Sequence, residues 1–255
     1  MVVTTEYADI TVDSSPLRMF VASPRTESKT KYPGVIFYSD IFQLTPPMLR
    51  SCVRLAGYGF VVVAPEIYHR IETPGTALRF DDSGRARGLE NAANTSVAEF
   101  DRDCRAVLDA LAQHPQVSPS KLAAAGFCIG GHLAFRAALQ PDVRATVCFY
   151  GTGIHDGRLG KDEDAGSLQR AREIKGELLM IFGEADPHVP KEGHEKIRAA
   201  LQQAGVKYRV KLYPAEHAFM RDEGPRYDPL SADQAFADMI QLFRHTFGES
   251  SGAGA

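Results

Sequence analysis

The stretch Lys121-Leu-Ala-Ala-Ala-Gly-Phe-Cys-Ile-Gly-Gly-His132 is an apolar run that breaks into Gly-x-Cys-x-Gly-Gly and then into a helical pattern. Such a junction holds one side chain on a sharp strand-to-helix turn, and the turn closes only if the flanking residues carry no Cβ. Gly126 and Gly130 meet that demand, and Gly131 leaves room for the new helix to pack on a sheet. The residue displayed on the bend is Cys128. Its sulfur stands at a helix N-terminus, where unpaired N–H groups and the positive end of the macrodipole favour a thiolate. This is the pattern of a nucleophile elbow with sulfur in the nucleophile's place.

Outward from Cys128 the chain alternates apolar runs with amphipathic segments, which predicts a mostly parallel central sheet flanked by helices on both faces. Strands are expected at residues 34–38, 59–64, 121–127, 145–150, 177–182 and 208–213, and helices at 46–56, 96–114, 131–139, 190–203 and 231–247. Period-two alternation over 5–23 predicts an antiparallel edge pair. The last helix is expected to open on a Ser231/Gln234 capping box and to bury Phe236, Met239, Ile240, Phe243 and Phe247. Two polar stretches, 71–95 and 152–171, exceed the usual connection of about 4 to 6 residues. The first reads equally as a cap over a site or a solvated excursion, the second as a solvated excursion. Residues 1–248 read as one domain and 249–255 as a disordered tail.

With 255 residues, 44% of them hydrophobic, the chain can bury a sizeable core. A net charge of −3 gives no electrostatic ground for binding nucleic acid or an anionic membrane, so small molecules are the expected partners. No run approaches the roughly 18 apolar residues of a membrane span, and the N-terminus lacks the basic-then-apolar pattern of a secretory signal. A cytoplasmic protein is expected, as a monomer or a small homo-oligomer. Cys52, Cys104 and Cys148 fall on apolar faces or runs and are expected to be small buried hydrophobes. No grouping has zinc-site spacing and no glycine loop reads as a phosphate cradle, so neither metal nor cofactor is expected.

A cysteine nucleophile needs a base, and the base needs a group to orient it. Gly183-Glu-Ala-Asp-Pro-His-Val-Pro190 follows one predicted strand and Pro214-Ala-Glu-His-Ala-Phe219 follows the last. Catalytic groups of open parallel sheets gather at the carboxyl ends of the strands, so Cys128, Asp186 and His217 are expected at one rim. Their chain order, nucleophile, acid, histidine, is that of the α/β-hydrolase fold. Glu184 is the alternative acid. His132, one helical turn past the cysteine, is expected along the helix surface and away from the sulfur, and His188 is expected at the surface.

The chain resembles the dienelactone hydrolase family of α/β-hydrolases, also called carboxymethylenebutenolidases, over nearly its whole length. The resemblance is carried by Val35-Ile-Phe-Tyr-Ser-Asp-Ile-Phe42, Gly57-Tyr-Gly-Phe-Val-Val-Val-Ala-Pro-Glu-Ile-Tyr68, Pro74-Gly-Thr-Ala-Leu78, Gly126-Phe-Cys-Ile-Gly-Gly131, Tyr150-Gly151, Asp186 with Val189-Pro190, and His217-Ala-Phe219 followed by Arg221. It implies Cys128 as nucleophile, Asp186 and His217 as its triad partners, the backbone N–H groups of Ile41 and Ile129 as oxyanion hole, and Arg221 as a ligand for a substrate carboxylate. The family glutamate that holds the resting thiol is replaced by Asp40, one methylene shorter, which reads equally as a helix cap. A second family arginine falls among Arg79, Arg85 and Arg87, of which Arg85 is preferred. The implied activity is cofactor-independent hydrolysis of a small ester or enol-lactone that bears a carboxylate. The rivals are a general esterase or thioesterase with no taste for acidic substrates, and a non-catalytic binding or redox protein on the same scaffold.

Overall fold

In the computed structural model, which describes residues 1–26 and 30–248, eight strands form one sheet in the order β1-β2-β4-β3-β5-β6-β7-β8. The hairpin β1 (Val3–Val12) and β2 (Ser15–Pro24) is antiparallel and joins β4 (Val61–Pro65) along one edge. From β4 onward, β3 (Tyr32–Tyr38), β5 (Val117–Phe127), β6 (Val143–Phe149), β7 (Glu177–Gly183) and β8 (Tyr208–Tyr213) run parallel. The tail expected at 249–255 lies outside the described residues. Among the described residues no helix is long and apolar enough to cross a membrane.

Both faces of the sheet are buried, so its strands read as near-continuous apolar runs. Within β3, Ile36 enters one core while Val35 and Phe37 enter the other, as the two-residue period requires. One core is closed by α3 (Val97–Gln113), α4 (Ile129–Ala137) and α5 (Lys191–Gln203), the other by α1 (Pro46–Ala56) and α6 (Pro229–Phe247). Cys52, Cys104 and Cys148 are buried in these cores. Burial pushes the thiols of Cys52 and Cys148 well above their ordinary value, and that of Cys104 to about 12. They are packing residues.

The helix ends are set by side chains satisfying N–H groups that have no intrahelical acceptor. In α3 the Ser96 hydroxyl accepts from the Glu99 N–H at 3.2 Å, and Glu99 Oε2 accepts from the Ser96 N–H at 2.7 Å. In α6 the cap is not the expected Ser231/Gln234 pair. Asp228 Oδ1 accepts from the Ser231 N–H at 2.7 Å, and Pro229, whose missing N–H costs nothing in the first turn, starts the helix earlier. Beyond that cap Phe236, Met239, Ile240, Phe243 and Phe247 lie buried against the sheet, each contributing about 1.5–3 kcal/mol on hydrophobic transfer.

The polar stretch 71–95 holds a helix that the apolar pattern does not announce, α2 (Asp82–Asn94), capped by Asp81 Oδ1 on the Gly84 N–H at 2.8 Å. Its buried positions are Gly84, Gly88 and Asn91, so it meets the body through backbone rather than apolar side chains.

Candidate active site

The carboxyl ends of β3, β5, β6, β7 and β8 bring Asp40, Cys128, Thr152, Asp186 and His217 to one rim of the sheet. At the end of β5 the backbone turns sharply, and Cys128 takes φ 58° and ψ −121° before α4 begins. A non-glycine residue at positive φ costs about 1–3 kcal/mol and persists only where its surroundings enforce it. The enforcement is visible: a Cβ on Gly126 would lie 2.0 Å from the Gly130 carbonyl oxygen, and one on Gly130 would lie 2.3 Å from that of Ser39. The half-buried sulfur therefore sits at the N-terminus of α4, whose first N–H groups, Ile129 among them, have no intrahelical acceptor.

His217 follows β8, and its Nδ1 donates to Asp186 Oδ2 at 2.8 Å. Asp186 is itself fixed, because its Oδ1 accepts from the His188 N–H at 2.8 Å. Burial pushes the Asp186 carboxyl up, but the hydrogen bond and charge of His217 prevail and hold it below the ordinary range. For His217, burial favours the neutral ring. The neighbouring Cys128 sulfur and the Asp186 hydrogen bond outweigh it and lift the imidazole to about 9. The ring is held edge-on by Tyr150 at 5.0 Å and by His188 at 4.7 Å between centroids.

The hydrogen bonds that Asp40 makes go to groups other than the thiol. Its Oδ2 accepts from Arg221 Nη2 at 2.6 Å and its Oδ1 from the Phe42 N–H at 2.9 Å. Nor does it cap α1, whose cap position is Thr45. The Arg221 guanidinium lies against the rings of Phe42 and Phe80, 4.8 and 4.5 Å from their centroids. Of the three rival arginines, Arg79 pairs with Asp81 and Arg87 with Glu72, while Arg85 on α2 borders the cavity over Cys128.

That cavity has a volume of about 410 Å³, within the ordinary range for small-molecule sites. Ile41, Cys128, Ile129 and His217 line its floor, and Arg85, Leu89, Ala92 and Ala93 of α2 form one wall. The opposite wall comes from Thr152 to Gly160, so the solvated excursion expected for 152–171 is corrected: its first half is part of the cavity. His132, expected on the helix surface, is fully buried and anchors this wall, with Nδ1 donating to the Thr152 carbonyl at 3.0 Å.

Thr152, His188 and Arg226 also line the cavity, and none was singled out for it by the sequence. Arg85, Arg158, Arg221 and Arg226 face it against a single acid, Asp156, in a chain whose net charge is −3. Asp156 accompanies Arg158 at 3.5 Å, whereas Arg85 and Arg226 have no carboxylate partner among the described residues. Burial lowers the His188 pKa, and the charges of His217, Arg226 and Arg85 add to this.

An elbow after β5, an acid after β7 and a histidine after β8, meeting at the rim of a mostly parallel sheet covered on both faces, define the α/β-hydrolase class. Within it, the chain belongs to the dienelactone hydrolase family, whose sequence profile matches residues 17–247. A Saccharomyces cerevisiae protein named provisionally as a carboxymethylenebutenolidase is 40% identical over 230 residues, covering 88% of this chain and 84% of its own. The carboxymethylenebutenolidase of Pseudomonas sp. is 26% identical over 238 residues, covering 92% and 94%. A crystal structure from Klebsiella pneumoniae, described provisionally as a dienelactone hydrolase, shares the fold at a TM-score of 0.83 and 24% identity, covering 95% of this chain and 99% of that one.

Proposed function

We propose that the protein hydrolyses a small ester or enol-lactone carrying a carboxylate, through a Cys128–His217–Asp186 triad. The Cys128 sulfur attacks the carbonyl carbon, and the N–H groups of Ile41 and Ile129 hold the developing oxyanion. Such donors are worth about 3–4 kcal/mol each. As the tetrahedral adduct collapses, the C–O bond breaks and the leaving oxygen takes the proton of His217. Water then gives a proton to His217 and attacks the thioester, the S–C bond breaks, and the carboxylate product departs. Asp186 keeps the imidazole in the required tautomer throughout.

The observation that carries this reading is one imidazole bonded to a buried carboxylate at 2.8 Å and lining the same cavity as the sulfur on the elbow. The carboxylate in the substrate is inferred from the excess of arginines. Arg85 and Arg226 stand unpaired among the described residues, and Arg221 can share its guanidinium between Asp40 and an incoming carboxylate. Bonded to Arg221 and to the Phe42 N–H, Asp40 is left out of these proton transfers.

One observation favours the second reading, an esterase indifferent to substrate charge: Asp40 already neutralises Arg221. Rates on a carboxylate-bearing dienelactone and on a neutral aryl ester separate the two, and equal kcat/KM would remove the acidic preference. The triad is tested by Cys128→Ala, which is expected to abolish turnover of both substrates and the acyl adduct seen on Cys128 by mass spectrometry, with the fold intact. Retained hydrolysis in Cys128→Ala refutes the reading.

A further inference from the structure

Thr152 is held from two sides by the first turn of the helix that carries the sulfur. Its N–H donates to the Cys128 carbonyl at 3.2 Å, and its own carbonyl accepts from His132 Nδ1 at 3.0 Å. A carbonyl oxygen can only accept, so the proton of His132 resides on Nδ1. Nε2 is then an acceptor, and the Ser167 hydroxyl meets it at 2.7 Å. The Ser167 oxygen accepts in turn from Arg136 Nη1 at 2.9 Å, and Arg136 is fixed by two bonds to Asp101, at 2.7 and 2.6 Å.

Every donor in this chain has its acceptor, and the chain has one stable sense. His132 has no exposed surface, and burial, helped by the charge of Arg136, pushes its pKa down to about 3. The ring is therefore neutral, and it takes no part in the proton transfers assigned to His217. Its effect is to fix the Thr152 peptide over the elbow, which sets Thr152 Oγ1 at 4.0 Å from Cys128 Sγ. An O–H at that place can close on an ionised sulfur, and donors to charged acceptors form shorter, stronger bonds than neutral pairs. Catalytic hydrogen bonds are commonly long before substrate binds and tighten afterwards.

We propose that the Thr152 hydroxyl is a hydrogen-bond donor to the ionised Cys128 sulfur, with His132 as the positioning residue that holds it there. This rests on Cys128 being the nucleophile. His217 supplies the mobile proton, and Thr152 supplies a donor that stays in place when that proton leaves for the departing oxygen. The hydroxyl thus steadies the sulfur as the thioester breaks and negative charge returns to it.

The test uses the full chain. Iodoacetamide alkylation of Cys128, followed by mass spectrometry across pH, is measured beside kcat and KM on an activated aryl ester. Thr152→Val, which removes the hydroxyl, is expected to move the pH midpoint of alkylation up by about one unit, a tenfold loss of thiolate at fixed pH, and to lower kcat with KM near wild type. Thr152→Ser, which restores the donor, is expected to recover both. For the positioning role, His132→Asn keeps a donor near the Nδ1 position and is expected to behave as wild type, whereas His132→Gln places its amide near Nε2 and is expected to shift the alkylation midpoint. A wild-type midpoint in Thr152→Val overturns the proposal, and so does a Thr152→Ser variant as impaired as Thr152→Val, since packing alone then accounts for the loss. Retained hydrolysis in Cys128→Ala would instead remove the nucleophile assignment, whatever the alkylation of the Thr152 variants shows.

Discussion

Replacing Cys128 by serine keeps the bend and the small polar side chain but removes the sulfur that faces His217. In the native site burial drives the imidazole toward neutrality, and two of the four influences that lift it to about 9 come from the sulfur, the largest of them included. Without them only Asp186 opposes burial. The midpoint of His217 is then expected to fall by about two units, toward or below its ordinary 6.5, a change of about 3 kcal/mol at 1.36 kcal/mol per unit. The assay is NMR titration of ring-labelled histidine, with the His217 signal assigned by its loss in His217→Gln. A midpoint that stays near 9 in Cys128→Ser would show that Asp186 alone charges the ring, and the influence assigned to the sulfur would fall. The same shift fixes the sign of the pH profile. Below about 9 the imidazole holds the proton that the leaving oxygen needs, and above it that proton is gone. Thus kcat/KM should decline as pH climbs through 9, and activity that rises there would contradict the assignment.

Gly130→Ala should be poorly tolerated, because its new Cβ would lie 2.3 Å from the Ser39 carbonyl oxygen and 2.6 Å from that of Tyr38, both backbone atoms. Overpacking of this kind is expected to cost about 3 kcal/mol in urea unfolding, and an unchanged midpoint would show that the elbow can relax. Arg226→Leu and Arg85→Leu are each expected to raise KM for a carboxylate-bearing lactone about tenfold, the lower end for a lost charge-assisted bond. KM for a neutral ester should stay put, and a parallel rise for both substrates would show that the arginines shape the cavity instead of reading charge.

Much of this was legible because it is local. The glycines around Cys128 are close in sequence and report a backbone constraint directly, and the buried strands announce themselves as apolar runs. The sites of Asp186 and His217 follow from where those runs end. What escaped the sequence has a physical reason in each case. Helix α2 packs through Gly84 and Gly88, where a Cβ on Gly88 would lie 2.6 Å from the Ile41 carbonyl oxygen, so its contact face carries no apolar period to detect. Asp40 and Arg221 meet across 181 residues of chain, and no spacing rule links them. The 152–171 stretch displays a charge run, Lys161-Asp-Glu-Asp164, that suggests solvent. Its anchorage to the body depends on His132 and on the nearly buried Arg136, which holds the Ala165 carbonyl at 2.7 Å. The cap of α6 was misplaced by three residues because Ser231 and Asp228 both suit the role, and only the position of Pro229 decides between them.

The bend at Cys128 is imposed by main chain pressing on main chain: Gly126 against Gly130, and Gly130 against the end of β3. Nothing in that pressure consults the side chain mounted at the apex. A hydroxyl would occupy the same spot as the thiol, under the same helix and beside the same imidazole. The scaffold thus separates where a reactive atom is presented from which element it is, and sulfur could be exchanged for oxygen here by a single codon while the fold stands still. What would not survive such an exchange is the hold that the sulfur has on the protonation of the neighbouring imidazole, so a lineage that made the swap would have to set that proton by other means.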